Sequence, residues 1–342
     1  MMKRFFREGM LTLFALAAIP TNASAQVDFY KGKTVTLVIS SGTGGGYDAL
    51  GRLIAQFLPK HLPGNPTVVV KNMPGAGGLV GANFLYNAAP KDGLTIGGIQ
   101  NVIPFDPLFG GKEAKFEATK FIWLGSPNQE TSLLVVTRET PIDNWEQTKT
   151  QEITVGSGGQ DSLQSFFGRL LNEMLGTKLK IIVGYPSQNE AFLAMERGEL
   201  NGYPSVFYNS LMSSKPTWLK EGKIKVLIQM GYEKEPEVGN VPFLLDLIKN
   251  EEDKRVVEAA LAPLAVGRPY LLPPGVPEDR SAIMRKAFAD LFADPEFVAE
   301  GNKRGMGISS PRDGKALHDL IEDVYKNTPP AIVERIKKLQ AG

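Results

Sequence analysis

The residues best suited to chemistry are glycines and hydroxyl side chains grouped in loops. Four glycines and three hydroxyl residues fill positions 40–46, directly after the apolar run 35–39 and before a segment with helical spacing. Such a loop turns tightly and brings its backbone close to a ligand. Its free N–H groups and the positive end of the following helix dipole favour negative charge. The pattern therefore predicts an anion-binding site.

Two more loops of the same kind follow later strands. Residues 74–78 come after the apolar run 67–71, and residues 156–162 come after the run 153–155. One glycine loop is an ordinary strand-to-helix connection. Three of them are more informative, because ligands of open α/β sheets bind at the carboxyl ends of the strands.

Dinucleotide binding is weakly supported by the first loop. Positions 44–49 fit the pattern G-x-G-x-x-A after a strand. The acidic residue expected about 20 positions later is absent, because the second strand ends at Lys71. Asp48 would also lie where a pyrophosphate should bind. We therefore expect no nucleotide cofactor.

Metal and acid–base chemistry have little support. The chain holds two histidines, His61 and His318, and no cysteine. Neither zinc-ligand spacing nor a nucleophile elbow of the G-x-S-x-G type is present. We expect no cofactor, no metal and no catalytic residue. An exported enzyme on the same scaffold is the alternative from another functional class.

The first 25 residues have the features of a secretory signal peptide. Lys3, Arg4 and Arg7 form a positive region, 10–18 is a short apolar core, and 23–25 reads Ala-Ser-Ala. We expect cleavage after Ala25 and export to a bacterial periplasm. Because the net charge of the whole chain is only +1, nucleic acid is not an expected partner.

Alternating strands and helices must position the loops. From residue 34 to 99 the chain reads strand, helix, strand, helix, strand, and the short connections predict a parallel sheet with right-handed crossovers. The same order recurs from residue 153 to 197. The sequence thus predicts an α/β protein with two lobes, each a mostly parallel sheet flanked by helices.

The lobe boundaries follow from the loop-rich segments. Residues 26–125 and 225–342 are expected to form the first lobe, and residues 126–224 the second. In this scheme the strand 225–230 returns to the first lobe, and 264–266 forms a further strand.

The motifs resemble those of the tripartite tricarboxylate transporter substrate-binding proteins, also called Bug or TctC receptors. The resemblance is carried by GGGYDALGR at 44–52, NMPGAGG at 72–78 and APKDGLTIG at 89–97, with weaker matches at 156–159 and 221–227. It covers essentially the whole mature chain.

The resemblance implies a two-lobed, flytrap-like periplasmic receptor with its ligand in the interlobe cleft. Such receptors deliver small carboxylates to a permease made of a large and a small membrane subunit. A sensor subunit that binds the same acid is a second alternative, and we expect a monomer. The resemblance leaves a C4–C6 dicarboxylate, a citrate-like acid and an aromatic acid open as ligands.

Family receptors hold a ligand carboxylate mainly with backbone N–H groups, hydroxyls and waters. Carried over to this chain, the resemblance implies contacts from Ser41, Gly42, Thr43, Gly45, Gly46, Tyr47, Asp48, Ser157, Gly158, Gly159, Gln160, Asp161 and Ser162. We also expect contacts from the second glycine loop, the segment after the third strand and three later residues: Pro74, Gly75, Ala76, Gln100, Asn101, Tyr185, Tyr203 and Ser205.

The chain departs from the family pattern at three places. Lys71 stands where the family usually has Glu. The acidic residue that the family usually has after a later strand is missing here, and Ser205 is the residue nearest to that position. The usual Trp-Gly segment is replaced at 265–270 by Ala-Val-Gly-Arg-Pro-Tyr. These departures affect the part of the site that would contact the distal end of the ligand.

Overall fold

The computed structural model describes residues 29–160, 162–185 and 187–341. The predicted signal peptide and Asp161 lie outside these residues. Within them, no helix combines the length and the hydropathy that a membrane span requires.

Eleven strands and eleven α-helices are found in this part of the chain. The strands are β1 (Thr34–Ile39), β2 (Thr67–Asn72), β3 (Thr95–Gly98), β4 (Ile122–Ser126), β5 (Ser132–Thr137), β6 (Ile153–Ser157), β7 (Leu179–Val183), β8 (Gly202–Phe207), β9 (Ile224–Met230), β10 (Tyr270–Leu272) and β11 (Arg312–Asp313). The helices are α1 (Gly46–Phe57), α2 (Leu79–Asn87), α3 (Leu163–Leu175), α4 (Gln188–Glu196), α5 (Tyr208–Ser214), α6 (Leu244–Leu247), α7 (Glu251–Val266), α8 (Glu278–Ala293), α9 (Pro295–Lys303), α10 (Gly314–Asn327) and α11 (Pro330–Ala341).

The first sheet has six strands in the order β11-β4-β10-β3-β1-β2. β1 is parallel to both β2 and β3, whereas β10 and β11 pair in antiparallel fashion. Helix α1 buries Leu50, Leu53 and Ile54 in one core cluster with β1. Because β1, β2 and β3 run in the same direction, the segments that follow them lie at one edge of the sheet.

The second sheet has five strands in the order β7-β6-β8-β5-β9. β6 is parallel to β7 and β8, while β5 is antiparallel to β8 and β9. Each sheet therefore has the predicted parallel half, extended by antiparallel strands that the loop spacing did not predict. The segments after β6, β7 and β8 again share one edge.

Two predictions about the later strands were wrong. The strand at 225–230 does not return to the first sheet, because β9 pairs with β5 from Ser132↔Met230 to Thr137↔Ile224. Residues 264–266 are not a strand but the last turn of α7. The final eleven residues of α7 are nearly all buried, and a short apolar run of this kind does not distinguish a strand from a buried helix.

Helices α7 and α11 connect the two halves of the molecule. Val256, Val257 and Leu261 of α7 pack in the core of the second sheet, whereas Val266 packs in a core of the first sheet. Helix α11 places Ile336 in the second core, although the sequence assigned the whole C-terminal part to the first lobe. The chain thus crosses between the sheets at several places.

Candidate functional site

The first glycine loop is shaped by the buried carboxylate of Asp48. Its Oδ2 accepts the Gly44 N–H at 2.8 Å, and its Oδ1 accepts the Asn72 Nδ2 at 2.9 Å. Arg52 donates through Nε to Oδ2 at 3.0 Å, and this contact is the main reason why the pKa of Asp48 falls to about 2. Asp48 was an expected ligand contact; the structure places its carboxylate on three protein groups, where it holds the loop.

The rim of this loop carries unused hydrogen-bonding groups. Gly45 caps α1, and the N–H groups of Gly45, Gly46 and Tyr47 have no acceptor among the described residues. The Oγ of Ser41 is buried and likewise has no partner in the described part of the chain. Gly42 and Thr43 are exposed beside them. The first turn of a helix leaves such N–H groups unsatisfied, and they suit an anion.

Arg268 adds a nearly buried cation to this loop. Its Nη1 donates to the carbonyl oxygen of Gly46 at 3.3 Å, and its guanidinium carbon lies 5.7 Å from the centroid of the Tyr47 ring. Its Nε lies 3.3 Å from Oε1 of Glu130, and only 12% of the Arg268 side chain is exposed. Burial raises the pKa of Glu130. The sequence interpretation missed Arg268 as a site residue, although it lies in the 265–270 segment that departs from the family pattern.

The neighbouring segments at this edge are hydrogen-bonded to the first loop. The Asn101 N–H donates to the Tyr47 hydroxyl at 3.0 Å, and the Gln100 N–H donates to Ser40 Oγ at 3.2 Å. Burial raises the pKa of Tyr47 to about 12, so its hydroxyl stays protonated at neutral pH. Gln100 and Asn101 therefore lie beside Ser40 and Tyr47 at this edge of the sheet.

The second glycine loop lies against the same groups. Pro74, Gly75 and Ala76 are exposed, and Ala76 adopts a left-handed φ of 44°. Gly78 has φ 103°, and a Cβ there would lie 3.0 Å from Ser40 Oγ. Only glycine fits this position, because the backbone is left-handed and the space is already filled.

The glycine loop of the second lobe is held by hydroxyl groups that point inward. Ser157, Ser162 and Ser165 each place Oγ within hydrogen-bond distance of the Gly159 carbonyl oxygen, at 3.2, 2.8 and 2.6 Å. Ser162 also caps α3 by accepting the Ser165 N–H at 3.3 Å. The sequence interpretation missed Ser165. Its hydroxyl lies within the first turn of a predicted helix, directly after the Gly/Ser loop, and this position could have been recognised from the sequence. The hydroxyls thus shape this loop.

The backbone of the same loop remains available. The N–H groups of Gly158, Gly159 and Gln160 have no acceptor within the described residues. The Tyr185 N–H donates to the Ser157 carbonyl oxygen at 3.1 Å, which places the segment after β7 beside this loop. A second set of N–H groups therefore accompanies the start of α3.

Tyr203 and Ser205 lie inside the second lobe. Tyr203 is 3% exposed, and its ring meets Phe192 edge-on at 5.7 Å. Ser205 is 2% exposed, and its Oγ is 2.7 Å from Ser132 Oγ. Tyr203 was an expected ligand contact, but its side chain is covered by α4.

A cavity of about 650 Å³ lies between the two sheets. Tyr47, which directly follows Gly46, and Leu163, which directly follows Ser162, both line it. These residues belong to the first turns of α1 and α3, so both helix starts border the cavity, whereas the glycine-loop residues themselves do not line it. Its walls come from both lobes and from the two connecting helices: Tyr47, Gln100, Asn101, Val102, Phe105, Asp106, Phe109, Gly110, Gly111, Leu163, Phe166, Arg169, Phe207, Ala260, Pro263, Ile336 and Gln340.

The described residues hold no candidate metal site. Within residues 29–341, leaving aside 161 and 186, no group of three His, Asp or Glu side chains could hold a metal ion. The first glycine loop offers backbone N–H groups and a nearly buried guanidinium, which together suit the binding of an anion.

Comparisons with known proteins identify the family and the fold. The family model for the tripartite tricarboxylate transporter family receptor (TctC) matches residues 50–336. A TctC solute-binding protein from Polaromonas is similar at TM-score 0.71 and 21% identity, over 91% of this chain and 98% of that one.

Two structures from Rhodopseudomonas palustris are also similar. MatC with bound malate has TM-score 0.60 and 20% identity, over 90% of this chain and 99% of that one. A second protein with adipate has TM-score 0.60 and 19% identity, over 90% and 97%. These likenesses confirm the predicted two-lobed α/β fold.

Proposed function

The chain belongs to the tripartite tricarboxylate transporter receptor family, whose members are solute-binding proteins, and we propose that it captures a small organic acid and delivers it to a membrane permease. The bound group is a carboxylate. The observation that carries this proposal is the grouping of free N–H groups, Ser41 Oγ and the Arg268 guanidinium at the start of α1, beside an interlobe cavity.

Recognition of the carboxylate begins in the first lobe. The N–H groups of Gly45, Gly46 and Tyr47 and the Oγ of Ser41 donate to its oxygens, and Arg268 supplies the opposite charge. A hydrogen bond to a charged group contributes about 1.5–3 kcal/mol. Several such bonds suffice for a receptor that must bind its ligand and release it again.

The second lobe completes the site. The N–H groups of Gly158, Gly159 and Gln160 lie at the start of α3, and Leu163 of that helix already lines the shared cavity. A ligand that contacts both lobes favours the closed state over the open one, because it gains contacts that only the closed state provides. MatC with malate and the R. palustris protein with adipate support a carboxylate as the ligand.

The cellular location and the partner of the receptor are proposed from its family and from the sequence of its first 25 residues. Receptors of this family are periplasmic, and the sequence of residues 1–25 supports export by a cleaved signal peptide. We propose a large and a small permease subunit as partners and a monomeric receptor. We further propose that the two sheets are the cores of the two lobes, with β9 and α11 assigned to the second.

A ligand screen tests the proposal. Purified mature protein is heated with a panel of mono-, di- and tricarboxylates, sugars and amines, and the unfolding temperature is measured for each. At least one acid should raise it, because a ligand that binds only the folded state stabilises that state by mass action. Hits restricted to sugars or amines, or an absence of hits among the acids, would refute a carboxylate receptor.

A further inference from the structure

The interlobe cavity is far more apolar than the glycine loops at its edge. Phenylalanines line it from both lobes, with Phe105 and Phe109 contributed by the first lobe and Phe166 and Phe207 by the second. Ile336 of α11 adds a further apolar side chain. Phe105 is fully buried in a core and also borders the cavity.

From this lining we propose that the ligand is a monocarboxylic acid with an apolar body, aromatic or aliphatic, rather than a short hydroxylated di- or tricarboxylate. This inference rests on the proposed function. The carboxylate binds at the loops that Tyr47 and Leu163 connect to the cavity, and the body occupies the space between the phenylalanines. A short polar acid would leave the partly exposed rings of Phe109 and Phe207 in contact with water. This is unfavourable, because removing apolar surface from water lowers the free energy.

The size of the cavity is consistent with such a body. Its volume of about 650 Å³ lies within the range of roughly 300–1,000 Å³ that is typical of small-molecule pockets. Aromatic rings on facing walls also favour a flat ring between them, because edge-to-face and offset contacts add to the burial of area.

Asp106 argues against a second carboxylate at this end. Its carboxyl group lines the cavity, and its Oδ2 is buried without a hydrogen-bond partner among the described residues. A ligand carboxylate facing it would be repelled, whereas a hydroxyl or N–H group on the ligand would satisfy the free oxygen. Arg169 also lines the cavity, but its guanidinium donates to the carbonyl oxygens of Gln160, Leu339 and Gln340 at 2.5–3.0 Å.

Isothermal titration with two matched acid series tests the inference. The first series is acetate, butanoate, hexanoate, benzoate and 3-phenylpropanoate, and the second is succinate, malate, adipate and citrate. Along the first series the affinity should rise by roughly fourfold for each buried methylene, and 3-phenylpropanoate should exceed succinate and malate. A comparison of the affinities for benzoate and hexanoate distinguishes a ligand with an aromatic body from one with an aliphatic body.

Each other outcome of the titrations has a definite meaning. Tight binding of the second series with no gain along the first would overturn the apolar body while leaving the carboxylate receptor intact. If no acid of either series binds, the proposed function fails and the inference fails with it.

A matched pair of variants checks that the body occupies this cavity. Phe207→Ser removes a cavity ring and should weaken 3-phenylpropanoate roughly tenfold or more, with acetate almost unchanged. Phe84→Ser alters an equally half-buried ring on α2, outside the cavity lining, and should leave both affinities unchanged. The unfolding temperature without ligand reports whether each variant is folded. Equal losses for acetate and 3-phenylpropanoate in Phe207→Ser would contradict the placement of the body.

Discussion

Replacement of the buried ion pair behind the first loop gives the sharpest test of the anion site. Arg268 contacts the Gly46 carbonyl and the Tyr47 ring, and its charge is balanced by Glu130, of which 2% of the side chain is exposed. Arg268→Met alone would leave Glu130 as an unpaired buried charge, which costs about 3–5 kcal/mol of stability. The double variant Arg268→Met/Glu130→Gln removes both charges and separates binding from folding.

The expected loss of affinity follows from the lost contact. A charge-assisted hydrogen bond contributes about 1.5–3 kcal/mol, and each 1.4 kcal/mol changes a dissociation constant tenfold. The double variant should therefore bind the tightest acid of the panel about 10- to 150-fold more weakly. Its unfolding temperature without ligand should stay closer to that of the wild type than the temperature of Arg268→Met does.

Isothermal titration of the wild type, the Arg268→Met/Glu130→Gln variant and a control variant tests whether the guanidinium binds the carboxylate. The matched control is Arg197→Met/Glu199→Gln, which removes an ion pair whose side chains are 64% and 50% exposed. An exposed pair contributes at most about 1 kcal/mol to stability, and this one lies outside the site, so the control should bind like the wild type. If the Arg268 double variant is folded and keeps its full affinity, the guanidinium does not contact the carboxylate, and the reasoning about the first loop is refuted.

Four further substitutions test the loops and the fold. Gly45→Val and Gly158→Val should abolish acid binding. Both variants should remain folded, because a Cβ at Gly45 meets nothing within 4 Å and one at Gly158 makes only ordinary contacts. If isothermal titration gives unchanged affinities, these loops are not part of the site. Asp48→Asn should lower the free energy of unfolding by about 2 kcal/mol at pH 7. The pKa of Asp48 is about 2 in the folded protein and about 3.9 in the unfolded chain. The loss of unfolding free energy should therefore be constant above pH 5 and shrink as the pH falls from 4 towards 2. Urea unfolding at several pH values measures this loss, and a loss that does not change with pH would contradict the prediction. Gly314→Ala should lower the urea midpoint, because its Cβ would collide with the carbonyl oxygen of Trp123, and an unchanged midpoint would argue against this close packing.

The parallel halves of both sheets could be predicted because their signals are local. β1, with the pattern TVTLVI, and β7, with LKIIV, are short apolar runs bounded by glycine, and each adjoins a helix of clear spacing. Strands joined by helices in short succession have few possible arrangements. The edge at which the glycine loops lie follows directly from that arrangement.

The antiparallel strands could not be assigned in the same way. β9 is an equally clear strand, yet its partner β5 lies about 90 residues earlier in the chain, and nothing in either run specifies the sheet. Residues 264–266 are apolar on all sides, because α7 is covered by both cores, so their periodicity carries no information about helix or strand.

The chemistry of the site was predictable where the backbone provides it and not where distant side chains do. The first two glycine loops and Tyr47 lie at one edge of the first sheet, which follows from their positions after parallel strands. Arg268 reaches Gly46 across 222 residues of sequence, and the apolar cavity arises only when α7 and α11 cross between the lobes. Asp48 and Ser157 have the right residue types, but their polar atoms bond to the protein itself.

Helix α7 sets the stiffness of the receptor. One helix is embedded in both cores, so the lobes cannot separate freely around extended linkers. Pro263 lies inside the helix and provides no N–H for the carbonyl four residues earlier, so α7 lacks one backbone hydrogen bond at this turn. Because Pro263 also lines the cavity, any bend of α7 at this turn would change the shape of the cavity wall.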